Sequence, residues 1–275
     1  LANDSPFMAS AVLRGLVESG NLVRDRDGWR FTRSIRGEVQ SSERAADFLM
    51  RRLELLPPDT LQLISTGAVL GKEFELDIAA SLAGLTSPQA VTALQVARQR
   101  HLVWLRPDGS RCVFVHDKIR AALLDRHPEE DRRCLHELIA RYLQEHEPDR
   151  VADIAYHFDA AGDSSSAFPY AMQAAQQARA QYAFEAAEQQ YLIADRGAVS
   201  GAAATRYRVA QELGELLMLR GRYEASGAKL EAAGRLANGT LARAQIRGKL
   251  GELAFRRGDM EQAIECFETA LRELG

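Results

Sequence analysis

Leu213-Gly214-Glu215-Leu216, followed by Arg220-Gly221, Glu224, Glu231, Ala233 and Arg235, returns 37 residues later as Leu250-Gly251-Glu252-Leu253, Arg257-Gly258, Glu261, Glu268, Ala270 and Arg272. Apolar residues at helical spacing flank each Arg-Gly pair, so each copy reads as two helices joined by a glycine turn. Such hairpins cannot bury their apolar faces alone and must stack. A small residue at the crossing lets the two helices approach, and a large apolar residue such as Phe267 is expected to fill the gap to the next copy. A more distant echo extends the pattern upstream. Ala161-Gly162-Asp163 with Ala167 and Ala174 parallels Gly258-Asp259 with Ala263 and Ala270, at a displacement of 96.

The spacing lies close to the about 34 residues of tetratricopeptide repeats, with longer connections. Residues 129–275 are therefore expected to form an α-solenoid of tetratricopeptide-like helical hairpins. The first helix of each pair should line the concave face, which places Arg208, Gln211, Glu215, Gln245, Lys249 and Glu252 there. A mixed polar lining of this kind admits a peptide, another protein domain or a small-molecule inducer. It is equally the composition of a solvated helix face. Tyr182, Phe184, Tyr191, Tyr207 and Tyr223 fall at stacking positions and read as core.

Upstream, residues 46–128 carry helical patterns at Phe48 to Leu56, Thr60 to Leu70, Leu76 to Leu82 and Gln89 to Arg100. Two short apolar runs follow, Leu102 to Leu105 and Cys112 to Val115, around a Pro107-Asp108-Gly109 turn, and a last helix starts at His116. Short helices followed by a two-stranded ribbon are the pattern of a winged helix. Residues 1–45 hold a helical pattern from Pro6 to a stop at Gly20. A hairpin follows, in which Leu22-Val23 and Trp29-Arg30-Phe31 flank Arg26-Asp27-Gly28. The fold class expected is mostly α: a winged-helix domain with a small β-ribbon, then the solenoid.

Composition narrows the functions. Lys and Arg number 35 against 38 Asp and Glu, a net charge of −3, so there is no general attraction to nucleic acid or anionic lipid. No apolar run reaches the roughly 18 residues of a membrane span and no signal peptide is visible, which leads us to expect a cytoplasmic protein. The absence of Met at position 1 and the helical pattern running to Leu274 read as a piece of a longer chain. Cys112, Cys134 and Cys266 have neither disulfide nor zinc spacing. Gly67 to Glu73 is one residue short of a P-loop and has Glu73 where the hydroxyl belongs. His136-Glu137-Leu138-Ile139-Ala140 lacks the second histidine of a zinc helix and reads as a solvated face. His146 and His157, with Asp153 and Asp159, show no convergent spacing. No catalytic site is expected in this segment. Arg98, Arg100, Arg106 and Arg111 could meet DNA through the winged helix, but they are too few for strong counterion release.

Three stretches resemble one family. Asn3-Asp4-Ser5-Pro6-Phe7 with the helix and ribbon after it is similar to the segment that ends the AAA module of STAND-type signalling ATPases, so residues 1–45 would be the end of that lid. Leu55-Leu56-Pro57-Pro58 and Ala68-Val69-Leu70-Gly71-Lys72-Glu73-Phe74 resemble the start of their winged helix. Phe114-Val115-His116-Asp117-Lys118-Ile119-Arg120-Ala121-Ala122-Leu123 resembles its closing helix. The family includes large LuxR-type regulators and AAA-containing cyclases and kinases. The resemblance implies ATP or ADP held mainly by an upstream ATPase core, with none held by this segment alone. It implies that Pro6 lies at the adenine and that His116, with Asp117 beside it, approaches the β-phosphate. It also implies an inducer or protein partner at the repeats, and self-assembly on activation. The other readings of the same residues are a helix-capping His-Asp pair, a repeat scaffold indifferent to nucleotide, and a DNA-binding winged helix.

Overall fold

The computed structural model describes residues 13, 17, 22–25, 28–31 and 53–275. It is mostly helical with short strands, and it divides into two compact units, Leu1–Leu135 and His136–Gly275.

The first unit includes an antiparallel ribbon, β1 (Leu22–Asp25) and β2 (Gly28–Phe31), in which Leu22 faces Phe31 and Asp25 faces Gly28. Helix α1 (Pro58–Leu70) starts at a proline, whose missing N–H costs nothing in the first turn, and it buries Leu63, Ile64, Ala68 and Val69. It stops at Gly71, whose N–H returns to the Gly67 carbonyl. Strand β3 (Glu73–Phe74) then folds back so tightly that a Cβ on Gly67 would lie 2.7 Å from the Phe74 ring. Helix α2 (Leu76–Leu82) leads to α3 (Ser87–Gln99), whose start is closed by the Gln89 side chain accepting the Thr86 N–H at 3.0 Å. Strands β4 (Val103–Leu105) and β5 (Cys112–Phe114) complete an antiparallel sheet of order β3-β5-β4. Helix α4 (Asp117–Asp125) is tied back to α1 by Arg120 Nε, which donates to the Ala68 carbonyl at 2.8 Å. From α1 onward the first unit thus runs helix, strand, helix, helix, strand, strand, helix. Phe74, Leu94, Leu102, Phe114, Ile119 and Leu123 close its core.

Helix α5 (Glu129–His146) contains the division between the units. Beyond it run α6 (Val151–Ala161), α7 (Ser164–Ala180), α8 (Phe184–Gly197), α9 (Ala203–Leu219), α10 (Tyr223–Leu236), α11 (Thr240–Arg257) and α12 (Met260–Leu274). Helices α7/α8, α9/α10 and α11/α12 form successive hairpins. The 37-residue echo maps onto the last two. Gly214 lies under Leu230 and Gly251 under Phe267, each so close that an added Cβ would come within 2.9 Å of its neighbour. Phe267 thus fills the crossing of its own hairpin instead of the gap to a next copy, because the glycine opposite it leaves the room. Between hairpins α10 and α11 the small residues Gly227 and Gly234 receive Leu253 and Ile246.

Ion pairs repeat with the hairpins. Arg196 meets Asp159, Lys229 meets Asp195, and Glu215 takes both Arg179 and, at 3.7 Å, Lys249. The side chain of Glu188 is 3% exposed and is gripped by Arg220 and Arg222.

Candidate functional site

Each unit carries one candidate. In the first, His116 is the N-cap of α4: its backbone is extended, and its Nδ1 accepts the Lys118 N–H at 3.1 Å. A neutral imidazole that accepts at Nδ1 carries its proton on Nε2, so the ring keeps one N–H donor. Asp117 begins the helix and pairs with Lys72 Nζ at 3.1 Å, both side chains being largely exposed. His116, Asp117, Lys72 and Lys118 therefore gather at the positive end of one helix, a setting suited to an anion. Pro6 lies outside the described residues. The arginines of the ribbon are engaged elsewhere in the same unit, Arg106 with Glu73 at 2.6 Å and Arg111 with Glu75 at 3.2 Å.

In the second unit, two cavities of about 340 and 360 Å3 adjoin along α7 and α9 and share Gln176. The first has an apolar floor of Phe168, Met172 and Val209, with Gln173 and Arg208 on its walls. The second is walled by Arg179, Tyr182, Tyr191 and Glu212. A hydrogen-bonded network stiffens the partition between them. Glu212 accepts from Tyr191 Oη at 2.8 Å, Arg208 Nε at 2.8 Å and Gln176 Nε2 at 3.2 Å. Burial alone would raise the Glu212 carboxyl, but those three donors outweigh it and hold the group ionised below its ordinary range. Burial, reinforced by the bond to Glu212, pushes the Tyr191 phenol up to about 12.

Of the six repeat residues expected to receive a partner, the structure brings only Arg208 to these cavities. Gln211 donates to Glu215, Glu215 bridges Arg179 and Lys249, and Glu252 takes Arg256 and Lys249. Gln245 is exposed and lines neither cavity. Of the five aromatic residues read as core, Tyr191 is fully buried, whereas Tyr182 is 80% exposed. Its backbone sits at φ +59°, and a turn that holds the residue in a left-handed conformation swings the ring out of the stack. The cavity residues Phe168, Met172, Gln173 and Gln176 carry no motif. The one signal in the sequence is the turn alignment, which sets Gln181-Tyr182-Ala183 against Arg220-Gly221-Arg222.

His136 is half-buried, not a fully solvated residue. Its Nδ1 lies 2.8 Å from that of the buried His157, and Tyr156 packs edge-on against both rings. Among the described residues no group of three or more His, Cys, Asp or Glu is placed to hold a metal, and no helix is long and apolar enough to cross a membrane.

No protein-family model matches the chain, and no curated protein matches it in sequence. Solved structures similar to it include a Signal Transduction ATPase with Numerous Domains (STAND) protein with a tetratricopeptide repeat sensor from Pyrococcus horikoshii, at 12% identity and a TM-score of 0.49 over 83% of this chain. The chain spans 34% of the length of that protein. BtubC (BKLC) from P. vanneervenii is similar at 17% identity and a TM-score of 0.35, over 79% of this chain and 91% of that one.

Proposed function

We propose that this chain is the regulatory segment of an ATP-dependent signal-transduction protein. His116 acts as a clasp on nucleotide held mainly by an upstream ATPase core, and the helical hairpins receive a partner or inducer. The observation that carries the reading is the state of His116. It caps the positive end of α4, its Nδ1 accepting the Lys118 N–H. An imidazole at a helix N-terminus suits the β-phosphate of ADP. Asp117 keeps Lys72 at the same helix end, and Pro6 is assigned to the adenine by the resemblance of its segment. For the hairpins to control such a clasp, whatever binds them must prefer the unclasped state, since a ligand shifts an equilibrium only by its difference in affinity for the two states.

The test is the nucleotide retained by the longest natural polypeptide containing this segment, compared with its His116→Asn and His116→Ala forms. Asparagine keeps the helix cap and removes the imidazole donor, whereas alanine removes both. Loss of ADP in both variants is the expected result. ADP retained by His116→Asn as by the native chain would reduce His116 to a cap and overturn the clasp.

A second reading is a protein-interaction scaffold that works without nucleotide. The cavities along α7 and α9 favour it, because they are built entirely from hairpin residues. It predicts partner binding that is the same with and without ADP. Sequence-specific DNA binding is disfavoured by the pairing of Arg106 and Arg111 with Glu73 and Glu75.

A further inference from the structure

The chain contains three asparagines, and only Asn238 precedes a glycine. Asn238 and Gly239 lie in the connection between α10 and α11, which joins the second hairpin to the third, and both are exposed. Gly239 stands at the head of α11 with φ +89° and ψ 161°, a region essentially reserved to glycine. Nothing beyond its chain neighbours lies within 4 Å of where a Cβ would stand. Its carbonyl accepts the Arg243 N–H at 3.2 Å, but its own N–H and the Asn238 carboxamide take part in no hydrogen bond among the described residues.

The turn between β4 and β5 shows the opposite arrangement. Asp108-Gly109 is a comparable pair, a side-chain carbonyl group followed by a glycine at φ +73°. There the Gly109 N–H donates to the Arg106 carbonyl at 2.9 Å, and the Asp108 carboxylate accepts from the Ser110 hydroxyl at 2.8 Å and the Ser110 N–H at 3.0 Å. Both groups that would have to react with each other are tied to other partners.

The head of α11 differs from those of its neighbours in a second way. Helices α7 and α12 are capped by Asp163 and Asp259, whose carboxylates accept the Ser166 and Gln262 N–H groups at 3.0 Å. Helix α11 has no side-chain cap and no acidic residue in its first turn. Its first N–H groups and the positive end of its dipole are therefore answered by no carboxylate there.

We propose that Asn238 is a site of spontaneous deamidation whose product supplies that missing charge. The Gly239 nitrogen, giving up its proton to a solvent base, bonds to Asn238 Cγ. The Cγ–Nδ2 bond breaks, ammonia leaves with that proton, and a five-membered succinimide closes. Solvent water then opens the ring. Cleavage between the Gly239 nitrogen and Cγ restores the ordinary backbone as aspartate, and cleavage between that nitrogen and the main-chain carbonyl carbon leaves isoaspartate, with an extra methylene in the backbone. Only amide bonds are exchanged for a carboxylate and ammonia, so no oxidant or cofactor takes part. Either product adds a negative charge beside the head of α11. The site depends on neither the His116 clasp nor the ligand of the hairpins.

The test holds the full 275-residue chain at pH 8, folded and in urea, and follows the tryptic peptide 236–243 by mass spectrometry. The peptide should gain about 1 Da and separate into aspartate and isoaspartate forms. Its rate in the folded chain should lie within about threefold of that in urea, since groups that are bonded to nothing need no opening of the structure before they react. The peptide that carries Asp108 should form isoaspartate in urea and not in the folded chain. Asn238→Gln, whose ring would be six-membered, should not convert over the same period. Asn238→Asp, which copies one product, should melt at a higher temperature than the native chain, and the gain should shrink in about 1 M salt. Conversion about tenfold or more slower in the folded chain than in urea, or an Asn238→Asp chain that melts no higher than the native one, would overturn the proposal.

Discussion

Leu230 lies against Gly214 so closely that a Cβ on the glycine would come within 2.9 Å of Leu230 Cγ and 3.3 Å of its backbone nitrogen. Ser226 adds a buried hydrogen bond of 2.7 Å from its hydroxyl to the Gly214 carbonyl. The α9/α10 crossing is thus set by the lack of a side chain at one position. Gly251 repeats the arrangement under Phe267, but Leu230 is fully buried while Phe267 is 41% exposed and has room to swing outward.

That difference orders three substitutions. Gly214→Ala gains about 1 kcal/mol of helix propensity but must displace a buried leucine and backbone, and overpacking of this kind costs about 1–3 kcal/mol. A net loss of up to about 2 kcal/mol is expected. Gly251→Ala should come out near neutral, because the Phe267 ring can yield. Gly248→Ala, where nothing lies within 4 Å of the added carbon, should stabilise by about 0.5–1 kcal/mol. Urea unfolding of the three variants checks the order, and a Gly214→Ala protein as stable as Gly248→Ala would refute this account of the crossing.

Glu188 is buried on α8 and takes Arg220 and Arg222 from the turn between α9 and α10, with Arg220 also reaching Glu185 at 2.6 Å. A carboxylate this buried is tolerable only while paired. Glu188→Gln keeps the shape and removes the charge, leaving two guanidiniums without their shared partner, of which Arg222 can turn to solvent and Arg220 much less so. A loss of about 2–3 kcal/mol is expected, and it should shrink when Arg220→Met is added. If the two variants prove additive in a double-mutant cycle, the bridge contributes nothing as a unit.

The hairpins were legible in the sequence because their constraints are steric: a crossing that admits only glycine or alanine repeats wherever the crossing repeats. The stops at Gly71 and Gly258 and the ribbon around Asp108-Gly109 were legible for the same local reason. Phe267 was misplaced because a large apolar residue suits either side of a helix, and only the position of Gly251 across the hairpin decides between them. Tyr182 was taken as core because its spacing fits a helix. The exposure of its ring follows from a left-handed turn that is visible only when Gly221 and Gly258 are set beside it. The contact of His136 with His157 joins two helices at no repeated spacing, and Gln173 and Gln176 look like any glutamines on a polar face. Composition could not separate a groove from a solvated surface.

The cysteines should differ sharply towards an alkylating reagent. Cys112 is fully buried on β5, and that burial pushes its thiol up to about 11; Cys266 is half-buried and raised by the same cause, whereas Cys134 is exposed. Since the thiolate is the reactive form, iodoacetamide at pH 8 should label Cys134 first, Cys266 more slowly and Cys112 only after the first unit unfolds. Mass spectrometry of timed digests reads the order. Early labelling of Cys112 would mean that the β3-β5-β4 sheet opens far more readily than its packing implies.

His157 should make the second unit acid-sensitive well above the carboxylate range. Burial foremost, then the neighbouring His136 and Arg150, lower its pKa to about 3, against about 6.5 in an unfolded chain. Between those values the unfolded state binds a proton that the folded state refuses, so stability rises with pH. The stabilisation is complete above about pH 6.5 and falls by about 1.4 kcal/mol for each unit below it, until His157 itself protonates near pH 3. The pair with His136 limits the escape, since two imidazoles with Nδ1 atoms 2.8 Å apart can share one proton between those atoms but not hold two. His157→Asn removes the titration and keeps a polar group that can meet His136. The difference in unfolding free energy between native and variant chains should therefore shrink steadily from pH 7 to pH 5, a range in which carboxylates change little. A difference that stays constant across that range would show that His157 is protonated in the folded protein, and the α5/α6 contact would then have to be a charged one.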